Sequence, residues 1–193
     1  MPIEHTTHQK KDSHMTDHIY FHTGYHTGVA ETYRDMDKCL SKISNPQFVD
    51  LEDDSSEFHN VYEDASIFLQ GSCQLFSLAL HKEFGYDAFE IRKGTSCHFF
   101  CQATYQGAPV YIDVRGATTS WEEFLSGTCA DFHDHDEIIP QDIEETKKLN
   151  DPDDLYVKDG FTFAKHLIHE HPEYYDISNL QPAIQSKTAP DNG

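Results

Sequence analysis

The sequence predicts an α+β domain. Three observations carry this reading: a nearly all-apolar helical stretch at 73–84, two β-prone runs at 97–104 and 109–115 joined by a short polar turn, and a shorter strand at 87–92 ahead of them. The 193 residues suit one domain with polar ends, since domains typically hold about 100–150 residues. The expected division is a His-rich polar arm at 1–27, one domain at 28–175 and a flexible tail at 176–193.

In the arm, His18, His22 and His26 stand four apart and would form one stripe on a helix able to hold a metal. Tyr20, Phe21, Thr23, Gly24 and Tyr25 between them disfavour that helix, so an arm without metal is the expectation. Residues 28–43 then read as an amphipathic helix stopped by Asn45-Pro46, and 56–69 as a second helix, with Phe58, Val61, Tyr62, Ala65, Phe68 and Leu69 at 3–4 spacing. Gly71 breaks that helix and Ser72 is placed to cap the next one. Leu75, Phe76, Leu78, Ala79, Leu80 and Phe84 leave the third helix little polar surface, so it belongs at the centre of the domain, with Gly85 just past its end.

Tyr105-Gln106-Gly107-Ala108 joins the two later strands as a hairpin. Ser120-Trp121-Glu122-Glu123 is a capping box opening a helix through Leu125. Residues 131–155 are acidic and irregular, with one helix expected at 141–149, and 160–171 reads as a last helix stopped by Pro172.

Composition narrows the function. With 34 acidic against 14 basic residues, the formal charge is −20, which argues against binding a phosphate backbone or an anionic membrane. The apolar stretches fall far short of the roughly 20 residues that span a bilayer. The N-terminal residues lack an apolar secretory core, and the five cysteines form no CxxC pair. Reduced thiols in a cytoplasm are therefore expected, or export by a route without such a signal. Protonating all 14 histidines would move the charge from −20 to −6, so association should be sensitive to mild acid.

The chemistry is concentrated between Gln70 and Trp121. Cys73 opens the central helix, where free N–H groups and the positive helix end favour a thiolate. A thiolate nucleophile needs a base, and the base an orienting acceptor. If the hairpin turn centres on Gln106-Gly107, paired positions sum to 213, so His98 faces Arg115 and Phe100 faces Asp113. His98 and Asp113 are then diagonal neighbours on one face, about 7–8 Å apart. An even sum would put them on opposite faces. Asp113 also sits among Tyr111, Ile112 and Val114, a β-prone run in which a carboxylate must find a partner.

Gln70-Gly71-Ser72-Cys73 followed by Phe76-Ser77 resembles the papain-type motif in which Gly-Ser-Cys opens the central helix. His98 in an aromatic strand and Tyr111-Ile112-Asp113-Val114-Arg115-Gly116 resemble transglutaminase-like proteins and arylamine N-acetyltransferases. The likeness covers about 50 of the 193 residues. It implies a papain-like core, a helix packed on a small antiparallel sheet, with Cys73 as nucleophile, His98 as base and Asp113 as orienter. Cys73 N–H and the Gln70 amide would then form the oxyanion hole. The spacing from Cys73 to His98 is shorter than in papain-like proteases, the third member is Asp rather than Asn, and the Arg-Gly-Gly run before the acetyltransferase cysteine is absent. Peptidase, glutamine deamidase and transglutaminase-type chemistry on a protein or peptide substrate all stay open. No cofactor or metal is required. The alternative is an inactive fold of this kind serving as an acidic binding protein or nucleic-acid mimic.

Other residues are expected to be structural. His133 and His135 would share a face if 131–137 were a strand, but an acidic solvated loop is the expectation, and His166, His169 and His171 belong to a helix surface. Cys97 and Cys101 share the strand face opposite His98 and should point into packing; Trp121 should anchor its short helix, and Arg115 should pair with an acid. Asp113→Ala is expected to cripple activity with folding largely intact.

Overall fold

Gly71 and Ser72 separate two helices, α1 (Ile67–Gln70) and α2 (Cys73–Phe84). The N–H groups of both donate to the Ile67 carbonyl at 3.0 Å, which ends α1 and turns the chain. The computed structural model describes residues 40–47, 62–126, 132–149 and 155–178. Ser72 occupies the N-cap position of α2 without a side-chain cap; its hydroxyl instead meets the Tyr62 hydroxyl at 3.0 Å. The helix expected at 56–69 is helical only from Ile67 among its described residues. Asp64 Oδ1 accepts the Ser66 N–H at 2.8 Å, a local bond that competes with helix formation, and Asp64 forms an isolated bridge with Ser44. Residues 56–61 lie outside the described residues, as do 28–39 of the first expected helix; of its described residues, 40–43, Leu40 is helical and a turn follows.

The central helix is as apolar in its surroundings as in its sequence. From Cys73 to Leu80 every side chain except Gln74 is buried, and Gly85 closes the helix with a left-handed backbone, donating its N–H to His81 O at 2.8 Å. The sheet follows as β1 (Asp87–Lys93), β2 (Ser96–Tyr105), β3 (Ala108–Asp113) and β4 (Gly116–Thr118), a meander of antiparallel neighbours. The strand order is β4-β3-β2-β1-β5, with β5 (Glu137–Pro140) antiparallel to β1. The β2–β3 turn is Gln106-Gly107, with φ of 50° and 84°, and the register runs Tyr105↔Ala108 to Cys101↔Ile112, the 213 sum read from the sequence. Two positive φ values match the twist of a two-residue hairpin.

The run expected to continue to Arg115 ends at Asp113. Asp113 Oδ1 accepts the Arg115 N–H at 2.8 Å, closing a turn that sends β4 back along β3. β5 was hidden in the acidic stretch; an edge strand tolerates charges and a terminal proline that an inner strand does not. Ser120 caps α3 (Trp121–Leu125), accepting the Glu123 N–H at 3.2 Å. The return half of the capping box is relayed: Thr118 Oγ1 accepts Ser120 N–H at 3.1 Å and donates to Glu123 Oε2 at 3.0 Å.

After α4 (Ile143–Leu149), α5 spans Leu155–Glu170, starting five residues earlier than expected. Gly160, read from sequence as a helix start, lies inside it because a close contact requires it: a Cβ there would sit 2.7 Å from Tyr62 Cζ. Pro172 opens a further turn, α6 (Pro172–Tyr175), from its first position. Ile177, in the segment read as tail, donates its N–H to the Tyr86 hydroxyl at 2.9 Å and packs on the core.

Two apolar clusters form among the described residues. The larger joins Leu75, Phe76, Ala79 and Leu80 of α2 to Cys101, Val110 and Ile112 of the sheet on one side and to Phe163, Ala164, Leu167 and Ile168 of α5 on the other. The smaller lies on the other face of the sheet, where Ile91 and Phe100 meet Phe124, Leu125 and Phe132. The architecture is mixed helix and antiparallel sheet. Among the described residues no helix is long and apolar enough to cross a membrane.

Candidate functional site

β2 and β3 stop pairing beyond the Cys101–Ile112 rung. At that parting His98 from β2 and Asp113 from β3 meet the first turn of α2. His98 Nε2 lies 3.0 Å from Asp113 Oδ2, the diagonal contact that the odd register sum allows. Both side chains are buried, at 0% and 2% exposure, with the rings of Phe124 and Phe132 centred 6.1 and 6.5 Å from the imidazole.

Cys73, 6% exposed, is the first residue of α2. Burial alone would raise its pKa, but a hydrogen bond and charge interaction with His98, together with the N–H groups of Phe99 and Gln74, hold it below the usual thiol value. His98 shifts in the matching direction. Burial favours the neutral ring, yet bonding to Asp113 and Cys73 and the charges of both outweigh it and raise the pKa. Because a carboxylate only accepts, Nε2 carries the proton toward Asp113. Nδ1 has no partner at strict hydrogen-bond geometry among the described residues, and the Cys73 sulfur is the group left to it.

Asp113 is held on its other side by Arg115, a partnership sequence reasoning left as pairing with an unspecified acid. Arg115 is 1% exposed. Its Nε donates to both Asp113 oxygens at 3.1 Å and Nη2 donates to Oδ2 at 2.7 Å. Burial would raise the Asp113 pKa, but the Arg115 charge, followed by the His98 hydrogen bond and charge, drives it well below the carboxylate range. The signal available in the sequence was the i, i+2 spacing of Asp113 and Arg115 around a turn.

The remaining sequence candidates fall away from this row. Gln70 is the exposed last residue of α1. Cys101 points into the larger core, its sulfur donating to Ser77 O at 3.3 Å and its pKa pushed up to about 12 by burial, whereas Cys97, expected in packing too, is exposed. Cys97 pairs with Arg92 of β1 but lies beyond the last β2–β3 rung, so the parity it shares with Cys101 does not give it cover. His133 and His135 sit on a turn, not a strand; His133 lies 3.4 Å from Glu122, and His135 Nδ1 lies 3.0 Å from Phe132 O. His169 lies 3.0 Å from Glu83. Trp121 packs on Tyr111 and Phe124, with centroids 4.7 and 5.3 Å apart. Among the described residues, no group of three or more His, Cys, Asp or Glu side chains could hold a metal ion. His18, His22, His26, Cys39 and Cys129 lie outside the described residues.

No protein-family model, curated protein or solved structure matches this chain.

Proposed function

We propose that the chain is a cysteine hydrolase or acyltransferase with a papain-like core, acting on protein or peptide amides. The observation that carries this is the row thiol, imidazole, carboxylate, with the Cys73 pKa lowered by His98 and His98 anchored on Asp113 at 3.0 Å. The lowered thiol and the raised imidazole both favour the thiolate–imidazolium form, the one a nucleophile needs.

Cys73 Sγ attacks the amide carbon, and the carbonyl electrons move onto oxygen. The Cys73 N–H at the start of α2 stabilises that oxyanion, such a donor being worth roughly 3–4 kcal/mol. Collapse breaks the C–N bond as His98 Nδ1 gives its proton to the leaving amine. The thioester is then resolved by water, which His98 deprotonates, or by a second amine. Asp113 keeps Nε2 protonated and so turns Nδ1 toward sulfur. Cys73 is the least buried member of the row, so substrate approaches from the sulfur side. A reducing cytoplasm suits such a thiol.

The test is the iodoacetamide alkylation rate of each cysteine between about pH 4 and 9, read by peptide mass spectrometry. Wild type is compared with His98→Gln. Fast labelling of Cys73 well below the ordinary thiol pKa, lost in His98→Gln, supports the reading. Labelling no faster than that of exposed Cys97 overturns it. The alternative, an acidic binding protein or nucleic-acid mimic, draws on the charge of −20. Salt-sensitive binding to a basic partner that survives Cys73→Ala would favour it.

A further inference from the structure

Four groups in the row carry charge when the site is armed: the Cys73 thiolate, the His98 imidazolium, the Asp113 carboxylate and the Arg115 guanidinium. All four are at most 6% exposed, so water compensates little of any imbalance. With Arg115 the row sums to zero. Without it, one negative charge is left buried and uncompensated.

Arg115 is also fixed from behind. Nη2 donates to Phe124 O at 2.8 Å, and Nη1 donates to Ser126 O. These carbonyls belong to the last turn and end of α3, and the guanidinium lies over the Phe124 ring, 5.5 Å from its centroid. A buried guanidinium has five N–H donors, so these carbonyls satisfy the ones the carboxylate leaves and at the same time fix the plane of the fork. The anchors leave the fork in one orientation, with both Asp113 oxygens engaged and Oδ2 shared with His98.

We propose that Arg115, clamped by the carbonyls of Phe124 and Ser126, is a positioning residue that fixes the Asp113 carboxylate and balances the buried charge of the Cys73–His98 pair. The inference rests on the functional reading above. It makes α3 part of the site: the carbonyl end of that short helix sets the guanidinium, the guanidinium sets the carboxylate, and the carboxylate sets the imidazole. Among the described residues, the groups that act on the row include the charges just named and the N–H groups of Phe99 and Gln74. Cys101, on the opposite face of β2, stays neutral because burial raises its pKa to about 12.

Removing the cation makes the buried row net negative, and the row responds by taking up a proton. The thiolate is the base available at neutral pH, so its titration moves upward. The experiment measures Cys73 alkylation by iodoacetamide against pH in wild type, Arg115→Gln, Arg115→Lys, Asp113→Asn and the double variant Asp113→Asn/Arg115→Gln. We expect the Arg115→Gln midpoint to rise by about one pH unit or more, a tenfold rate loss on the acid side. Arg115→Lys keeps the charge and should stay closer to wild type than Arg115→Gln does. The double variant is neutral again, so its midpoint should lie below that of Arg115→Gln, a non-additive cycle.

A folded Arg115→Gln with the wild-type midpoint overturns the proposal, as does an additive cycle. If Arg115→Gln does not fold, the double variant, which removes both buried charges together, decides: a midpoint equal to that of Asp113→Asn shows that Arg115 does not act on the row. Failure of the functional reading looks different. It appears in wild type itself, as labelling of Cys73 that does not depend on His98.

Discussion

The hydroxyl of Ser72, the residue before the candidate nucleophile, is held by Tyr62 at 3.0 Å rather than by the helix that it precedes. Tyr62 in turn lies against Gly160 of α5, so a packing contact far along the chain reaches the start of α2. Gly160→Ala tests this. A Cβ would stand 2.7 Å from Tyr62 Cζ and 2.9 Å from Leu75 Cδ1. Overpacking costs about 1–3 kcal/mol, against about 1 kcal/mol gained in helix propensity. The variant is expected to be less stable in urea denaturation, and a raised midpoint would show that Tyr62 and Leu75 yield freely.

Asp113→Ala is expected to damage folding as well as chemistry. The sequence alone pointed to a carboxylate needed for activity but not for folding; its burial beside Arg115 argues against the second half. Removing one partner of a buried ion pair typically costs about 3–5 kcal/mol. Chemical denaturation of Asp113→Ala would read this directly, and a loss below about 1 kcal/mol would mean that water reaches Arg115.

Two of the shifted groups, His98 and Asp113, give stability opposite pH limbs. His98 has a folded-state pKa raised to about 9, so its contribution is complete below the unfolded value near 6.5 and is lost as pH climbs toward 9. Asp113 is depressed, so its contribution is full above the unfolded value near 3.9 and fades as pH falls below it. Cys73 works against the His98 limb over that window, because the unfolded thiol keeps a proton that the folded thiolate has lost. Unfolding free energies of wild type and Asp113→Asn should therefore converge as pH falls below about 3.9. A gap that stays constant there would show that Asp113 is not ionised in the folded chain.

Gln106 carries a φ of 50° in the turn that sets the His98–Asp113 register. Side chains other than Gly, Asn and Asp are strained there. Gln106→Asn is expected to stabilise the chain by about 0.5 kcal/mol, with the alkylation profile of Cys73 unchanged. A lower thermal midpoint would show that the Gln106 side chain makes a contact of its own.

What could be read in advance was local. The Gly-Ser break, the apolar run of α2, the Gln-Gly turn and strand parity together put Cys73, His98 and Asp113 in one neighbourhood, and each is decided within a few residues. What could not be read depends on distant partners. Gly160 looks like a helix start until Tyr62 is laid against it, and the 137–140 strand looks like acidic loop until β1 is beside it. Arg115 was one cation among many acids because its choice of Asp113 is fixed by a turn and by two carbonyls of α3.

The spacing of the row along the chain has a kinetic consequence. Asp113 is 2 residues from Arg115 and 15 from His98, whereas Tyr86 meets Tyr175 across 89 residues and Asn45 meets Asp159 across 114. Contacts of short separation close first, and hairpins form on the order of 1–10 μs. Imidazole, carboxylate and guanidinium are thus expected to come into register within the meander before the longer-range contacts of α5 and the C-terminal turn form.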